Sequence, residues 1–141
     1  MNENKNWEEF IHKNLLKDGF IDGFLLFSLD LELVYQYGKL SKINQSEFTK
    51  FKDVFDHVYD ESSRATLLQR VLYLNVGELD DVKFVIRQLQ NNCISCVTKH
   101  NRIGVVIVKF QFGIIVASHS YPIPSHVALN QIQDLVVMLC S

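Results

Sequence analysis

Residues 103–118 read Ile-Gly-Val-Val-Ile-Val-Lys-Phe-Gln-Phe-Gly-Ile-Ile-Val-Ala-Ser, the most apolar run of the chain. A spanning helix needs about 20 apolar residues, and this run is shorter and carries Lys109 and Gln111 in its middle. β-branched residues crowd both halves, Val105 to Val108 and Ile114 to Val116. A branched Cβ packs well on a pleated surface and loses rotamer freedom in a helix. The run therefore reads as two buried strands meeting near Lys109–Gly113, a central hairpin of an antiparallel sheet with helices packed over it.

Working outward from the hairpin, the preceding residues keep the same character. Val71–Val76, Val82–Leu89 and Cys93–Lys99 are strand candidates, separated by the polar stretches Gly77–Asp81, Gln90–Asn92 and His100–Arg102. After the hairpin, Pro122 and Pro124 break the chain. A final helix then starts at Ser125, with Ala128, Ile132, Leu135, Val136 and Leu139 along one face.

The N-terminal half supplies the other helices. Trp7, Phe10, Ile11 and Leu15 fall at helical spacing, which predicts a helix over Asn6–Lys17. Asn6 with Glu9 is a capping-box pattern, Glu8 and Glu9 suit the positive end, Lys13 and Lys17 the other, and Gly19 ends the helix. Trp7 has two readings, a half-exposed binding anchor or plain core. Gly23–Asp30 and Leu33–Tyr37 read as strands. Asp30-Leu31-Glu32 between them lacks the glycine a tight hairpin turn prefers, so a longer or bulged loop is expected. Ser46–His57 is a second helix with Phe48, Phe51, Val54 and Phe55 on its apolar face and Asn44 or Ser46 as cap. Ser62 or Ser63 would cap a short helix through Leu68. Terminal helices around a meander of strands point to the α+β class.

Composition narrows the function. The chain has 141 residues, enough for one domain with a proper core, and 48% are hydrophobic. A net charge of −2 does not suggest a nucleic-acid binder or a membrane-surface protein. Met1–Asn6 is polar and no apolar signal region follows, and three cysteines make no disulfide framework; a cytoplasmic protein is expected.

Catalytic chemistry finds little support. Cys93 and Cys96 form a CxxC, but at the start of a strand the two face opposite sides, and with His100 as a third ligand no fourth is present for zinc. Asp53, Asp56, Asp60 and Glu61 are acidic at irregular spacing, which describes a solvated surface and not a metal site. The five histidines are scattered, and there is no P-loop, GxGxxG or GxSxG. No enzyme, metal or cofactor is expected.

Several short motifs, in order, cover nearly the whole chain. Trp7-Glu-Glu-Phe10-Ile11-His-Lys-Asn-Leu15 is followed by a strand that ends in Leu29-Asp30. Val85-Ile86-Arg87 stands in the middle. Thr98-Lys99-His100 leads into Gly104-Val105 and Val108-Lys109, and an amphipathic helix comes after a Pro-containing loop. In order and spacing these resemble the profilin family, whose members bind monomeric actin. The resemblance implies a single profilin-like domain over 1–141. Its fold would be a mostly antiparallel sheet of about seven strands, with the N- and C-terminal helices packed together on one face.

The resemblance also implies sites. An actin-binding face would include Val85, Arg87, Lys99, His126 and Asn130, with the planar guanidinium of Arg87 suited to a carboxylate. Proline-rich segments would stack on aromatics between the terminal helices, at Trp7 and Phe10. The family's next aromatic aligns without a gap to Val34, or to Tyr35 with a one-residue slip. The late-helix aromatic positions fall on Leu135 and Ser141, so polyproline binding is expected to be weak or lost. Phosphoinositide head groups would meet Lys99, Arg102 and Lys109, together with His100. The implied protein is a monomeric regulator of actin polymerisation in the cytoplasm and cytoskeleton. It is not an integral membrane protein. Two other readings stand beside it: a profilin-fold adaptor that binds another protein through the same face, and a roadblock- or longin-like module that dimerises.

Overall fold

The computed structural model describes residues 3–16, 18–56, 71–90 and 92–140. Seven strands form one sheet: β1 Gly23–Ser28, β2 Leu33–Gly38, β3 Val71–Val76, β4 Leu79–Leu89, β5 Cys93–Val97, β6 Ile103–Phe110 and β7 Gly113–Ser120. Their order is β2-β1-β7-β6-β5-β4-β3, and every neighbouring pair is antiparallel. The β6–β7 hairpin is central as expected, in unbroken register from Ile103↔Ser120 to Phe110↔Gly113.

Among the described residues three α-helices cover the sheet: α1 Glu3–Ile11, α2 Phe48–Asp56 and α3 Ser125–Cys140. Alternation along the strands splits the interior in two. On one face Phe24, Leu26, Val106, Val108, Ile115 and Ala117 meet Ile11 and Leu15 from the N-terminal helical segment and Ala128, Ile132 and Leu135 from α3. On the other face Leu25, Phe27, Val105, Ile107, Ile114 and Val116 meet Phe48, Phe51, Val54 and Phe55 of α2. Phe27 and Phe48 stack with ring centroids 4.5 Å apart. The terminal helices thus share one face, and α2 takes the other.

Several boundaries move from their sequence-based positions. The first helix begins at Glu3, so Asn6 lies inside it and is not its cap. Apolar periodicity locates only the buried face, and polar residues can extend a helix without leaving that signal. From His12 to Leu16 the helix widens into a π-helical turn. Ahead of α2, Gln45–Glu47 forms a 3-10 turn with Asn44 at its cap, and the Asn44 backbone N–H donates to the Glu47 carboxylate at 3.1 Å. β4 starts at Leu79, shortening the expected Gly77–Asp81 turn, and the Asp81 N–H donates to Asn75 Oδ1 at 3.0 Å. β5 stops at Val97 because Lys99–Asn101 turns as a 3-10 helix with His100 at φ 69°. The expected short helix through Leu68, together with Asp60 and Glu61, lies outside the described residues.

Two β-bulges interrupt the strand pairing. In β2 the register with β1 passes from Leu26↔Tyr35 to Phe27↔Leu33, leaving Val34 as the extra residue. In β4 it passes from Ile86↔Cys96 to Gln88↔Ser95, leaving Arg87 as the extra one. A bulge sets two consecutive side chains on the same side of the sheet. Both bulges do this on the face that carries the terminal helices.

Candidate functional site

The terminal helices cover only part of their face. Beyond the start of α3, β4 and β5 are left open, and the opening is a cleft of about 590 Å³. Arg87 and Gln88 from the β4 bulge, Ser95 from β5, His119 from β7, and Ser125 and His126 from α3 line it. Of the five residues expected on an actin-binding face, the fold brings Arg87 and His126 into this one cleft. Val85 is half-buried two residues along β4 and lies on the same face as Arg87. Asn130 is exposed one helical turn beyond His126, and Lys99 is exposed in the turn after β5.

The cleft is held by hydrogen bonds that no sequence pattern announces. His119 is only 3% exposed. Its Nδ1 lies 3.0 Å from the Ile123 carbonyl oxygen, and its Nε2 lies 3.2 Å from Ser125 Oγ. Burial lowers the affinity of the ring for a second proton, outweighing the Ile123 carbonyl and the Asp22 carboxylate, which favour it. Asp22 accepts hydrogen bonds from Ser118 at 2.6 Å and Ser120 at 2.5 Å and pairs with Lys39 at 3.2 Å. Burial alone would raise its pKa, but those hydroxyls and Lys39 together bring it below the ordinary value.

A second opening, of about 260 Å³, lies on the same face near the chain ends and is almost wholly apolar. Trp7, Leu26, Val34, Phe110, Phe112 and Leu139 line it. Phe10 sits edge-on to Trp7 at 6.1 Å. Trp7 is therefore half-buried, a wall of this pocket and not plain core. Of the two residues that the β2 bulge brings to this side, Val34 lines the pocket, while Tyr35 packs against Phe24 with centroids 6.1 Å apart. Two lining aromatics were missed in the sequence. Phe110 and Phe112 flank the tip of the central hairpin, edge-to-face at 6.3 Å, and Phe112 is 57% exposed. The available signal was Phe-Gln-Phe at a turn, where an exposed aromatic has no core to fill. Leu135 is buried, and Ser141 lies outside the described residues.

The basic residues divide between two ends. Arg102 lines a cavity of about 680 Å³ with His100, Ile103, Ser120 and Tyr121, close in sequence to Lys99. Lys109 is at the far end of β6, about 23 Å of strand away. Of the basic residues expected together, His100 and Arg102 share this cavity, Lys99 stands in the same turn as His100, and Lys109 is apart from them.

Cys93 and Cys96 face opposite sides of β5, one in each core. Burial pushes the Cys96 thiol up to about 12. Among the described residues no group of three or more histidine, cysteine or acidic side chains is placed to hold a metal ion, and no helix is long and apolar enough to cross a membrane.

Solved structures with this architecture are found among profilins. Acanthamoeba castellanii profilin IA is 16% identical with a TM-score of 0.70, over 94% of this chain and 95% of that one. Profilin IB of the same organism is 17% identical at 0.70 over the same shares. Schizosaccharomyces pombe profilin is 16% identical at 0.71, over 95% of this chain and 96% of that one. At such identity these show a shared fold. No curated protein sequence matches the chain significantly. The profilin family model matches residues 5–141, so nearly the whole length carries the family's sequence pattern as well as its architecture. The chain belongs to the profilin family.

Proposed function

We propose that the chain binds monomeric actin, or an actin homologue, and so regulates actin polymerisation, through the open sheet face beside the start of α3. The observation that carries this reading is the convergence of Arg87, Gln88 and His126 on one cleft, on the part of their sheet face that the terminal helices leave uncovered. An exposed guanidinium in a polar recess suits a partner carboxylate, which its planar fork binds through two hydrogen bonds. Val85 and Val97 supply apolar surface beside it. The protein acts as a binding module and not as an enzyme, as a monomer in the cytoplasm and at the cytoskeleton. Assembly of pyrene-labelled actin with increasing amounts of the protein tests this. Dose-dependent suppression that Arg87→Glu abolishes supports it; no suppression by the folded wild type favours an adaptor with another protein partner.

The apolar pocket favours a second, weaker activity. A proline-rich segment needs aromatic ridges and donors to its carbonyls. Trp7, Phe110 and Phe112 supply ridges, but of the six lining residues only Trp7 carries a polar side-chain atom. Binding of proline-rich peptides at Trp7 and Phe10 is therefore weak. Phosphoinositide head groups would meet Lys99, His100 and Arg102, with Lys109 too distant to share them.

A further inference from the structure

His119 sits where three parts of the cleft meet. In the β6–β7 register it stands opposite Gly104, and a Cβ at position 104 would fall on the imidazole ring. Glycine thus makes the room in which the ring lies. A carbonyl oxygen only accepts, so the Ile123 contact places the proton on Nδ1. Nε2 then presents a lone pair to the Ser125 hydroxyl, which donates to it. One neutral tautomer satisfies both bonds and ties β7 to the loop before α3 and to the first residue of that helix.

A second proton would have to go on Nε2. Ser125 would then turn to accept, and a charge would stand on a ring that is itself almost wholly buried. The charged and titratable groups around it do not offset this. From the segment before β1, Asp22 attracts the charge, but its carboxylate is engaged by Ser118, Ser120 and Lys39. From β4 and α3, Arg87 and His126 line the same cleft. Arg102, ahead of β6, is exposed, and Gln88 and Ser95 are neutral.

We propose that His119 is a positioning residue and a proton switch for this cleft: neutral, it fixes the start of α3 so that His126 and Arg87 face one partner; protonated, its charge is hydrated only when the 123–125 segment opens, and that opening weakens binding. The binding half of this proposal rests on the cleft being the partner face. The lowered proton affinity of the buried ring agrees with it. A folded-state pKa below the unfolded one means that acidification costs stability as pH falls from the ordinary histidine value near 6.5 through the folded one.

The test uses the full chain and the neutral variant His119→Gln, whose amide can both donate to Ile123 and accept from Ser125. Nitrogen-15 spectra of the imidazole should show the Nδ1–H tautomer at neutral pH. Amide exchange over residues 123–128, corrected for intrinsic chemistry, should quicken about tenfold between about pH 7.5 and 5 in the wild type and stay within about twofold in the variant. Equal exchange profiles in the two proteins, or an Nε2–H tautomer, would overturn the switch. Actin affinity measured at about pH 7.5 and 6 should fall about twofold more in the wild type than in the variant. Loss of protection without actin binding at either pH would sustain the switch and sink the actin reading separately.

Discussion

Arg87 and Gln88 are consecutive residues of one strand, yet both side chains line the same cleft. Ordinary alternation would send one of them to the α2 face. The bulge opposite β5 removes that alternation, and Phe84, Ile86 and Leu89 still reach the core behind. An exposed pair such as this is set up for binding and carries little of the stability.

Arg87→Ala should therefore leave stability within about 0.5 kcal/mol of wild type, since the side chain is exposed. Its affinity for actin should drop about tenfold or more, as truncating an interface arginine commonly costs over 1 kcal/mol. Urea denaturation and a sedimentation or fluorescence binding assay read the two effects independently.

The apolar pocket predicts opposite behaviour at two of its walls. Trp7 is half-buried and Phe112 is 57% exposed. Trp7→Ala should cost about 2 kcal/mol in chemical denaturation, while Phe112→Ala should stay within about 0.5 kcal/mol. Titrating a proline decamer should shift the Trp7 indole resonance in the wild type, and Phe112→Ala should reduce that shift. An unchanged shift would remove Phe112 from the pocket's function.

Gly104→Ala should destabilise by about 1–3 kcal/mol, because the added methyl must displace the buried imidazole of His119. In a His119→Ala background the same substitution should cost close to nothing. A double-mutant cycle measures the difference as a coupling energy. Additive penalties would show that the two residues do not meet.

Asp22 sets a limit at acid pH. Its folded-state pKa lies below the ordinary 3.8, so the stability it contributes is complete well above that value and is lost as pH falls through the folded one. Thermal denaturation from pH 6 down to about pH 2 should show a loss that Asp22→Asn lacks, that variant being the less stable at neutral pH. Parallel curves would mean that another carboxylate is responsible.

Of the three cysteines, Cys93 and Cys96 are buried and Cys140 is exposed. A thiol reagent at about pH 8 should label one cysteine quickly in the native protein and all three after unfolding, because the thiolate is the reacting form. Fast labelling of Cys96 in the folded state would contradict both its burial and its raised pKa.

The amino-acid sequence by itself determined the sheet, its central hairpin and the two terminal helices, because burial imposes a period on side chains and β-branching marks strands. It determined the family too, through motifs spread from Trp7 to the last helix. It assigned Arg87 and His126 to one face only through that resemblance. The rest depended on features that leave no period. A bulge adds one residue to one strand, so Val34 and Tyr35, like Arg87 and Gln88, come to the same side only once the partner strand is in register. His119 is an ordinary polar residue in the chain and becomes buried because Gly104, fifteen positions away, leaves a space opposite it. Phe112 joins Trp7 and Leu139 because the sheet brings the tip of one hairpin beside the first helix and the end of the last. These are contacts between distant segments, and only the tertiary structure brings them together.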